Sequence, residues 1–340
     1  MLQVHPRFAL ASSVAAALLV ASAAAQAQTK VNVGKIVGGV GLHIPSYIAM
    51  DKGFFKDEGL DVRFVELAGR PMITAGMTGN VDFVPIPSGG AQAALKGAPL
   101  RYVVGQSLKP QWIIVAKSDI AKVADLKGKT LAYARVGAAD YDEGATTLAR
   151  FFNLQVGKDY KVIQIQGEPE RIAALANGDV QGALVSVPRA YMAKRAGFNV
   201  VLRTGDYLPR AGGTFWTTDE FLKKNPETVK KFIRAIARGV MYYRDNKEGS
   251  YASMKTHLGV QSDEEAGVLW DELHGTFAAE LPPDLYREIF ESRRLDMIAA
   301  KEWPADKPLP DPEQWLERKL LETTLKEMNY VPTKLEAPAK

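Results

Sequence analysis

Four turns that follow short apolar segments carry polar side chains suited to binding a small solute. The residues concerned are His43, Arg70, Ser88, Gly89, Arg135 and Gly137. Each turn precedes a helical pattern, and a helix N-terminus offers unpaired N–H groups and a positive dipole end. Arg70 and Arg135 add planar donors that match carboxylate, sulfonate or phosphate groups. The sequence therefore predicts a site for a small anion.

Each of these side chains could also serve the fold alone. Ser88 could cap its own helix, whereas Arg70 and Arg135 could be ordinary surface residues. His43 could be a hydrogen-bonded residue of the wall rather than a titrating group. Both interpretations stay open at the level of sequence.

Two later positions extend the predicted site. Ser186 ends an apolar segment in the second half of the chain, and Trp216 follows Phe215 where the chain should cross between two lobes. Phe215 and Trp216 could be core residues or an aromatic wall, since aromatic side chains are common in ligand clefts. Asp140 and Glu143 have the spacing of a capping box, so we interpret them as structural rather than as evidence for a cationic ligand.

Motifs of common catalytic and cofactor sites are absent from the sequence. Residues 87–90 lack the first glycine of a GxSxG nucleophile turn, and residues 39–41 lack the third glycine of a dinucleotide-binding loop. Beyond residue 27 the histidines are His43, His257 and His274, without the spacing of an HExxH zinc site. The chain contains no cysteine, which excludes disulfides and thiolate metal sites. We therefore predict no catalytic residues, no cofactor, no metal site and no enzymatic activity.

The N-terminal residues have the pattern of a cleaved signal peptide. Arg7 provides a cation, residues 8–20 form a short apolar run, and Ala25-Gln26-Ala27 supplies a small-x-small cleavage site. The run is too short to span a bilayer readily, although an uncleaved anchor is the alternative. We predict cleavage near Ala27, a mature chain that begins at Gln28 or Gln26, and export to the periplasm.

Length and charge limit the remaining functional classes. At 340 residues the chain suits two lobes of ordinary domain size. The formal charge of +4 arises from interleaved basic and acidic residues without a basic block, so nucleic acid is not an expected partner. We expect the protein to be a monomer.

Short apolar segments alternate with helical patterns along most of the chain, which is typical of an α/β protein built from parallel βαβ units. The predicted strands are residues 31–37, 60–65, 82–86, 100–104, 112–115, 130–134, 160–164, 183–187 and 199–202. Beyond residue 217 the pattern is almost purely helical. A restart of the pattern near Lys117 and a glycine-rich segment at 204–213 predict two crossings between lobes. Lobe 1 would comprise residues 28–117 and 212–340, and lobe 2 would comprise residues 118–211.

Four segments match, in order, the motifs of one protein family. They are residues 47–62 (YIAMDKGFFKDEGLDV), 79–83 (GNVDF), 124–132 (ADLKGKTLA) and 177–183 (NGDVQGA). They resemble substrate-binding proteins of the nitrate, sulfonate and taurine importer family, whose superfamily includes receptors for thiamine-pyrimidine precursors. The resemblance implies a type II periplasmic binding fold, in which each of two lobes is a mixed sheet flanked by helices and the ligand lies in the cleft between them. It also implies two hinge crossings and C-terminal helices that rejoin lobe 1.

The turn that opens lobe 2 departs from this family pattern. Family members often present Gly-Ser at that helix entrance, where this chain has Arg135-Val136-Gly137. The departure favours a solute that is larger or more acidic than nitrate.

These observations predict the solute-binding receptor of an ABC importer, which binds a small organic anion and delivers it to inner-membrane permease subunits. The solute would be a sulfonate or a carboxylate. The alternatives are a receptor for a thiamine-pyrimidine precursor, a synthase-like enzyme of the same superfamily, and a periplasmic sensor module that docks on a receptor kinase. The lack of cysteine removes the iron site that the resemblance implies for such an enzyme.

Overall fold

The structure, a computed structural model, describes residues 28–36, 41–67, 69–136 and 138–334. The predicted signal peptide at residues 1–27 and the predicted ligand contact Gly137 lie outside these ranges. Within them, no helix combines the length and the apolar character that a membrane crossing requires.

Strands and helices alternate through the first two thirds of the described chain, and helices dominate the last third. The strands are β1 (Thr29–Ile36), β2 (Leu60–Leu67), β3 (Leu100–Ser107), β4 (Trp112–Ala116), β5 (Thr130–Tyr133), β6 (Lys161–Gln164), β7 (Gly182–Ser186), β8 (Asn199–Arg203) and β9 (Gly213–Thr218). The helices are α1 (Ile44–Asp51), α2 (Phe54–Asp57), α3 (Gly69–Met77), α4 (Pro87–Leu95), α5 (Ala139–Phe152), α6 (Glu168–Asn177), α7 (Val187–Arg195), α8 (Asp219–Lys224), α9 (Pro226–Asp245), α10 (Lys247–Leu258), α11 (Asp263–Leu273), α12 (Pro283–Ala299) and α13 (Arg318–Glu327). Short 3-10 helices include Gly41–His43 and Thr204–Asp206.

The strands β1, β2 and β3, together with β9 from later in the chain, form the sheet of lobe 1. β1 and β2 pair in parallel, whereas β3 and β9 pair antiparallel. Residues 82–84 join the two pairs, because Phe83 bridges to Val33 of β1 and Val84 bridges to Trp216 of β9. Helices from the C-terminal third cover this sheet, since α9 packs on α1, α12 on α4, and α13 on β3.

Lobe 2 is built on a five-stranded mixed sheet in the order β6-β5-β7-β4-β8. β5 runs parallel to β6 and β7, but β4 pairs antiparallel with both β7 and β8. The parallel βαβ units that the alternating pattern indicates thus do not include β4 or the β3–β9 pair, and this mixture of directions agrees with the mixed sheets that the family resemblance implies. Strand β4 enters this sheet directly after the chain leaves β3, and it does so by antiparallel pairing.

The first crossing between the lobes lies earlier than the sequence pattern predicts. The pattern put it near Lys117, after the strand at 112–115. That strand is β4, which pairs with Ser186 and its neighbours in β7 and therefore belongs to lobe 2. The chain thus crosses at residues 108–111, between β3 and β4, and it returns through residues 204–212 to β9.

Helix α9 illustrates why the C-terminal third is helical and where it packs. Asn225 lies at its N-cap, with a proline directly after it. Its fully buried apolar side chains recur at helical spacing and are Val229, Phe232, Ile233, Ile236 and Val240. The ring of Phe232 stacks on that of Phe83, with 3.7 Å between centroids. Burial of each such side chain contributes about 1.5–3 kcal/mol, so this stripe anchors α9 to lobe 1.

Five charged side chains form a largely buried group where the two lobes meet, which we call the interlobe ion cluster. Its members are Asp142, Glu143, Arg210, Arg293 and Asp296. Asp142, in α5 of lobe 2, binds Arg210 of the second crossing, with 2.8 Å between Oδ2 and Nη2. Its Oδ1 contacts Arg293 of α12 in lobe 1. The cluster therefore joins both lobes and the crossing segment at one point.

Removal of one arginine from this cluster should destabilise the protein strongly. We expect Arg293→Ala to lower the free energy of unfolding by about 3 kcal/mol, because it breaks a buried ion pair. The value lies at the low end of the usual range because Arg210 still partners Asp142. Arg287 lies on the same helix as Arg293 and forms an exposed ion pair with Asp311. Its replacement by alanine should lower the free energy of unfolding by only about 0–1 kcal/mol. Urea unfolding of both variants measures the difference, and equal midpoints would contradict the role given to the cluster.

Candidate functional site

A cavity of about 230 Å³ lies between the two lobes. Lobe 1 contributes Ile36, Gly69 and Ile86, and lobe 2 contributes Trp112, Ala134, Arg135, Ala138, Ala139, Asp140, Gln166, Gly167, Glu168 and Arg171. Ile36 ends β1, Ala134 follows β5 and Gln166 follows β6. The cavity thus lies beyond the carboxyl ends of strands, where open α/β sheets bind ligands.

A second cavity, of about 190 Å³, also borders Trp112 and is lined by parts of both crossing segments together with Val187 and the end of α11. Residues 109–113 line it together with Arg203, whose Nε lies 3.0 Å from Oε1 of Glu272. The carboxyl ends of β1, β5 and β6 converge at the 230 Å³ cavity, whereas only those of β7 and β8 border this one. The 230 Å³ cavity is therefore the better candidate for ligand binding.

Two helices of lobe 2 begin at the wall of the cavity. Helix α5 starts at Ala139 after Ala138 at its N-cap, and α6 starts at Glu168 after Gly167 at its N-cap. Neither N-cap residue provides a side-chain cap, so first-turn N–H groups remain available near the cavity. The predicted capping box of Asp140 and Glu143 is wrong, because Ala138 is the N-cap and Asp140 lies inside the first turn.

Arg135 lines the cavity from lobe 2 and reaches lobe 1. It lies in the turn between β5 and α5, and its guanidinium packs against Gly69 at the start of α3. A Cβ at position 69 would lie only 2.7 Å from Cζ of Arg135, so a glycine is needed for this approach. The predicted contact residue Arg135 therefore spans the space between the lobes.

Arg171 is the most extensively bonded charged group of the cavity wall. Its guanidinium donates to the carbonyl oxygens of Ile165 (2.8 Å) and Gln166 (3.0 Å) and to that of Leu184. It also forms an ion pair with Asp140, with 2.8 Å between Nη1 and Oδ2. Arg171 therefore fixes the ends of two strands and neutralises Asp140 at the start of α5.

Glu168 is a buried carboxyl group at the same wall. Its Oε2 accepts hydrogen bonds from the backbone N–H (2.9 Å) and the hydroxyl (2.8 Å) of Ser186. Burial raises the pKa of Glu168, while the Ser186 hydrogen bonds and the charge of Arg171 act in the opposite direction. The predicted contact Ser186 is absent from the cavity lining itself and acts on the cavity by orienting Glu168.

His43 lies inside lobe 1, away from the cavity lining. It is 1% exposed, and its Nε2 accepts a hydrogen bond from the N–H of Ile36 at 3.1 Å. Burial, assisted by the charge of Lys35, lowers the pKa of His43 to about 3. The ring is therefore a neutral structural acceptor that holds the end of β1, and it is not itself part of the cavity lining.

The other predicted residues of lobe 1 also lie outside the cavity lining. Ser88 does not cap α4, because that helix begins at Pro87 with Ile86 at its N-cap. Gly89 packs against Ile73, whose Cδ1 would lie 2.6 Å from a Cβ at this position. Arg70 is exposed on α3.

Trp216 is a core residue of lobe 1. It is fully buried in β9, and its Nε1 donates a hydrogen bond to the carbonyl oxygen of Ile86 at 3.1 Å. Of its two possible roles, the structure supports packing in the core. The aromatic side chain of the cavity wall is Trp112, at the start of β4.

The sequence analysis missed the turn that carries Glu168. Gly167-Glu168-Pro169 follows β6 and begins a helix, as Gly69-Arg70-Pro71 does in lobe 1. The same signal of a polar residue before a proline at a helix start would have identified it. Trp112 was missed because the first crossing was predicted to follow β4 rather than to precede it.

Comparisons with known proteins agree with this architecture. A family model described as NMT1/THI5 like matches residues 41–250. YtlA of Bacillus subtilis, named as a candidate binding protein, is 27% identical over 235 residues, which are 64% of this chain and 67% of that protein. The 4-amino-5-hydroxymethyl-2-methylpyrimidine phosphate synthase THI13 of Saccharomyces cerevisiae is 27% identical over 220 residues, 59% of this chain and 63% of the enzyme. The chain thus matches about two thirds of the length of these relatives.

Two solved structures have the same fold. The periplasmic aliphatic sulphonate binding protein SsuA from Escherichia coli superimposes with a TM-score of 0.69 at 17% identity, over 86% of this chain and 99% of that one. The periplasmic nitrate-binding protein NrtA from Synechocystis PCC 6803 gives a TM-score of 0.71 at 15% identity, over 92% of each chain. The predicted two-lobed α/β fold of a periplasmic binding protein is therefore confirmed.

The buried His43 should make the stability of the protein depend on pH. The folded-state pKa is about 3, below the ordinary histidine value of about 6.5. Between these values the unfolded chain binds a proton that the folded chain does not, so stability is lost as pH falls. We expect the free energy of unfolding of His43→Gln to fall less steeply as pH falls, by up to about 1.4 kcal/mol per pH unit, than that of the wild-type protein. Urea unfolding at pH 7.5 and 5.0 measures it, and an identical pH dependence in both proteins would refute a neutral, buried His43.

Proposed function

Since the chain belongs to the NMT1/THI5-like family, we propose that it is the solute-binding receptor of an ABC importer. It binds one small organic anion, a carboxylate or a sulfonate, in the cavity between its lobes and delivers it to the permease subunits. It acts in the periplasm as a monomer and releases the solute chemically unchanged.

The position of Arg135 is the observation that carries this proposal. Its guanidinium lines the cavity and lies against Gly69 of the opposite lobe. The uncapped N-terminus of α5 begins four residues later at the same wall. A planar cation and a helix N-terminus at one wall form a favourable environment for a carboxylate or sulfonate.

Binding at this place would couple the solute to the relative position of the lobes. Lobe 1 supplies Ile36, Gly69 and Ile86, whereas lobe 2 supplies the charged groups. A solute can contact both sets only when the lobes are closed, so it would stabilise the closed form over an open one. This property is what a permease needs to distinguish loaded from empty receptor.

The predicted export supports the same assignment. Residues 1–27 have the pattern of a signal peptide, and both structural neighbours described above are named as periplasmic proteins. A periplasmic location would bring the receptor to the outer face of an inner-membrane importer.

The synthase relative supports a second candidate, a receptor for a pyrimidine precursor. THI13 and this chain align over 220 residues, so a related solute could fit the same cavity. The synthase activity itself is the weaker possibility for this chain. His43 is buried and bonded to Ile36, the described residues of the cavity lining include no histidine, and the sequence has no cysteine.

Substitution of Arg135 tests the anionic class of the solute. We expect Arg135→Ala to weaken binding of a carboxylate or sulfonate solute by about 1.5–3 kcal/mol, because one charge-assisted contact is lost. That loss corresponds to a Kd roughly ten to a hundred times higher. Arg135→Lys should restore only part of it, since a point charge cannot reproduce a planar fork.

Titration calorimetry measures these affinities, with Arg70→Ala as the matched control. Arg70 is exposed and lies outside the cavity lining, so its removal should leave Kd unchanged. An unchanged Kd in Arg135→Ala would overturn the assignment of this residue to the anion.

A further inference from the structure

We propose that Glu168 selects solutes that carry an N–H donor in addition to their anionic group. Glu168 would accept a hydrogen bond from this donor, with Ser186 as its positioning residue. The inference rests on the proposed function and narrows the solute class to small amino-substituted carboxylates or sulfonates.

The buried carboxyl groups near the cavity differ in how they are neutralised. Asp140 is paired with Arg171, and Asp142 is paired with Arg210 and Arg293. Glu168 is 6% exposed, yet across residues 28–36, 41–67, 69–136 and 138–334 it has no ion-pair partner. Glu168 is therefore the acidic group of the described cavity wall that forms no ion pair, although Arg171 lies close enough for its charge to act on the pKa of Glu168.

The two oxygens of Glu168 have different surroundings. Oε2 accepts both hydrogen bonds from Ser186, whereas no donor to Oε1 is present among the described residues. Glu168 also belongs to the lining of the cavity, so a ligand can approach it. An N–H donor on the solute would therefore find an acceptor at Oε1, and a hydrogen bond to an ionised carboxylate is stronger than one between neutral groups.

The hydrogen bonds of Ser186 determine which kind of solute group fits. Two donors on Oε2 and the nearby charge of Arg171 favour the ionised form of Glu168. An ionised carboxylate only accepts hydrogen bonds, so the solute must donate. Burial raises the pKa of Glu168, and a bound ammonium group would act in the opposite direction.

The remaining walls limit the body of the solute. Ile36, Ile86 and Trp112 are apolar, and the cavity of about 230 Å³ leaves room for one small ring or a short chain. A flat apolar body would therefore hold the acid towards Arg135 and the N–H group towards Glu168.

Matched pairs of ligands test this selection. We would titrate para-aminobenzoate against para-methylbenzoate, and para-(aminomethyl)benzoate against para-ethylbenzoate, together with the corresponding benzenesulfonates. In the wild-type protein each amino compound should bind about tenfold to a hundredfold more tightly than its amino-free partner. Calorimetry measures both Kd values, and thermal shift identifies the binders first.

The variant Glu168→Gln keeps the size of the side chain and can still accept from Ser186. We expect it to weaken only the amino compounds, so that the ratio within each pair falls below about threefold. Asp179→Asn, just beyond the C-terminal end of α6 and exposed outside the cavity lining, should keep the wild-type ratio. The melting temperature of each unliganded variant checks that folding is intact.

The possible outcomes separate this inference from the proposed function. If the anions bind but amino and amino-free partners bind equally, Glu168 does not select a donor and only the inference fails. The same holds if Glu168→Gln leaves the ratio unchanged. If no carboxylate or sulfonate of the panel raises the melting temperature of the wild-type protein, the anionic solute class fails, and this inference fails with it.

Discussion

Asp142 lies in the first turn of α5 with its two carboxylate oxygens against two arginines, Arg210 from the second crossing and Arg293 from lobe 1. Buried charges of this kind are tolerated only when they meet one another, so the three segments must converge. The same helical turn carries Asp140, which lines the cavity and pairs with Arg171. The arrangement of the lobes and the geometry of the cavity wall therefore depend on one turn of helix.

Much of this architecture is predictable from local patterns in the sequence. Apolar β-branched segments and helical spacing identify β1 to β8 closely, because each element buries a face at its own period. Sheet membership is a matter of long-range pairing, which explains why β4 was predicted to belong to lobe 1. β9 was read as part of a crossing because glycine-rich sequence precedes it, although Phe215 and Trp216 are core residues.

In the candidate site, too, local sequence identifies some residues, whereas others depend on long-range pairing. Arg135 was predictable because its turn follows a strand and begins a helix, a relation that local sequence contains. The Glu168–Ser186 contact joins residues 18 positions apart, and Arg171 of α6 pairs with Asp140 at the start of α5. Such contacts depend on sheet order, which one sequence does not reveal. The buried, neutral state of His43 likewise follows from packing. Its position in a turn before a helix had made it a candidate for ligand contact.

The proposed receptor function assigns the polar groups around the cavity to recognition rather than to reaction. Ser186 donates its hydroxyl hydrogen to Glu168, and Arg171 donates to three carbonyl oxygens and pairs with Asp140, so both side chains are held in fixed positions beside the cavity. Native mass spectrometry of the periplasmic protein tests this conclusion most directly. A single small organic anion, bound one to one and recovered unchanged after prolonged incubation, is the predicted result. A chemically altered molecule, or wild-type protein that retains no anion even when saturated with carboxylates and sulfonates, would contradict it.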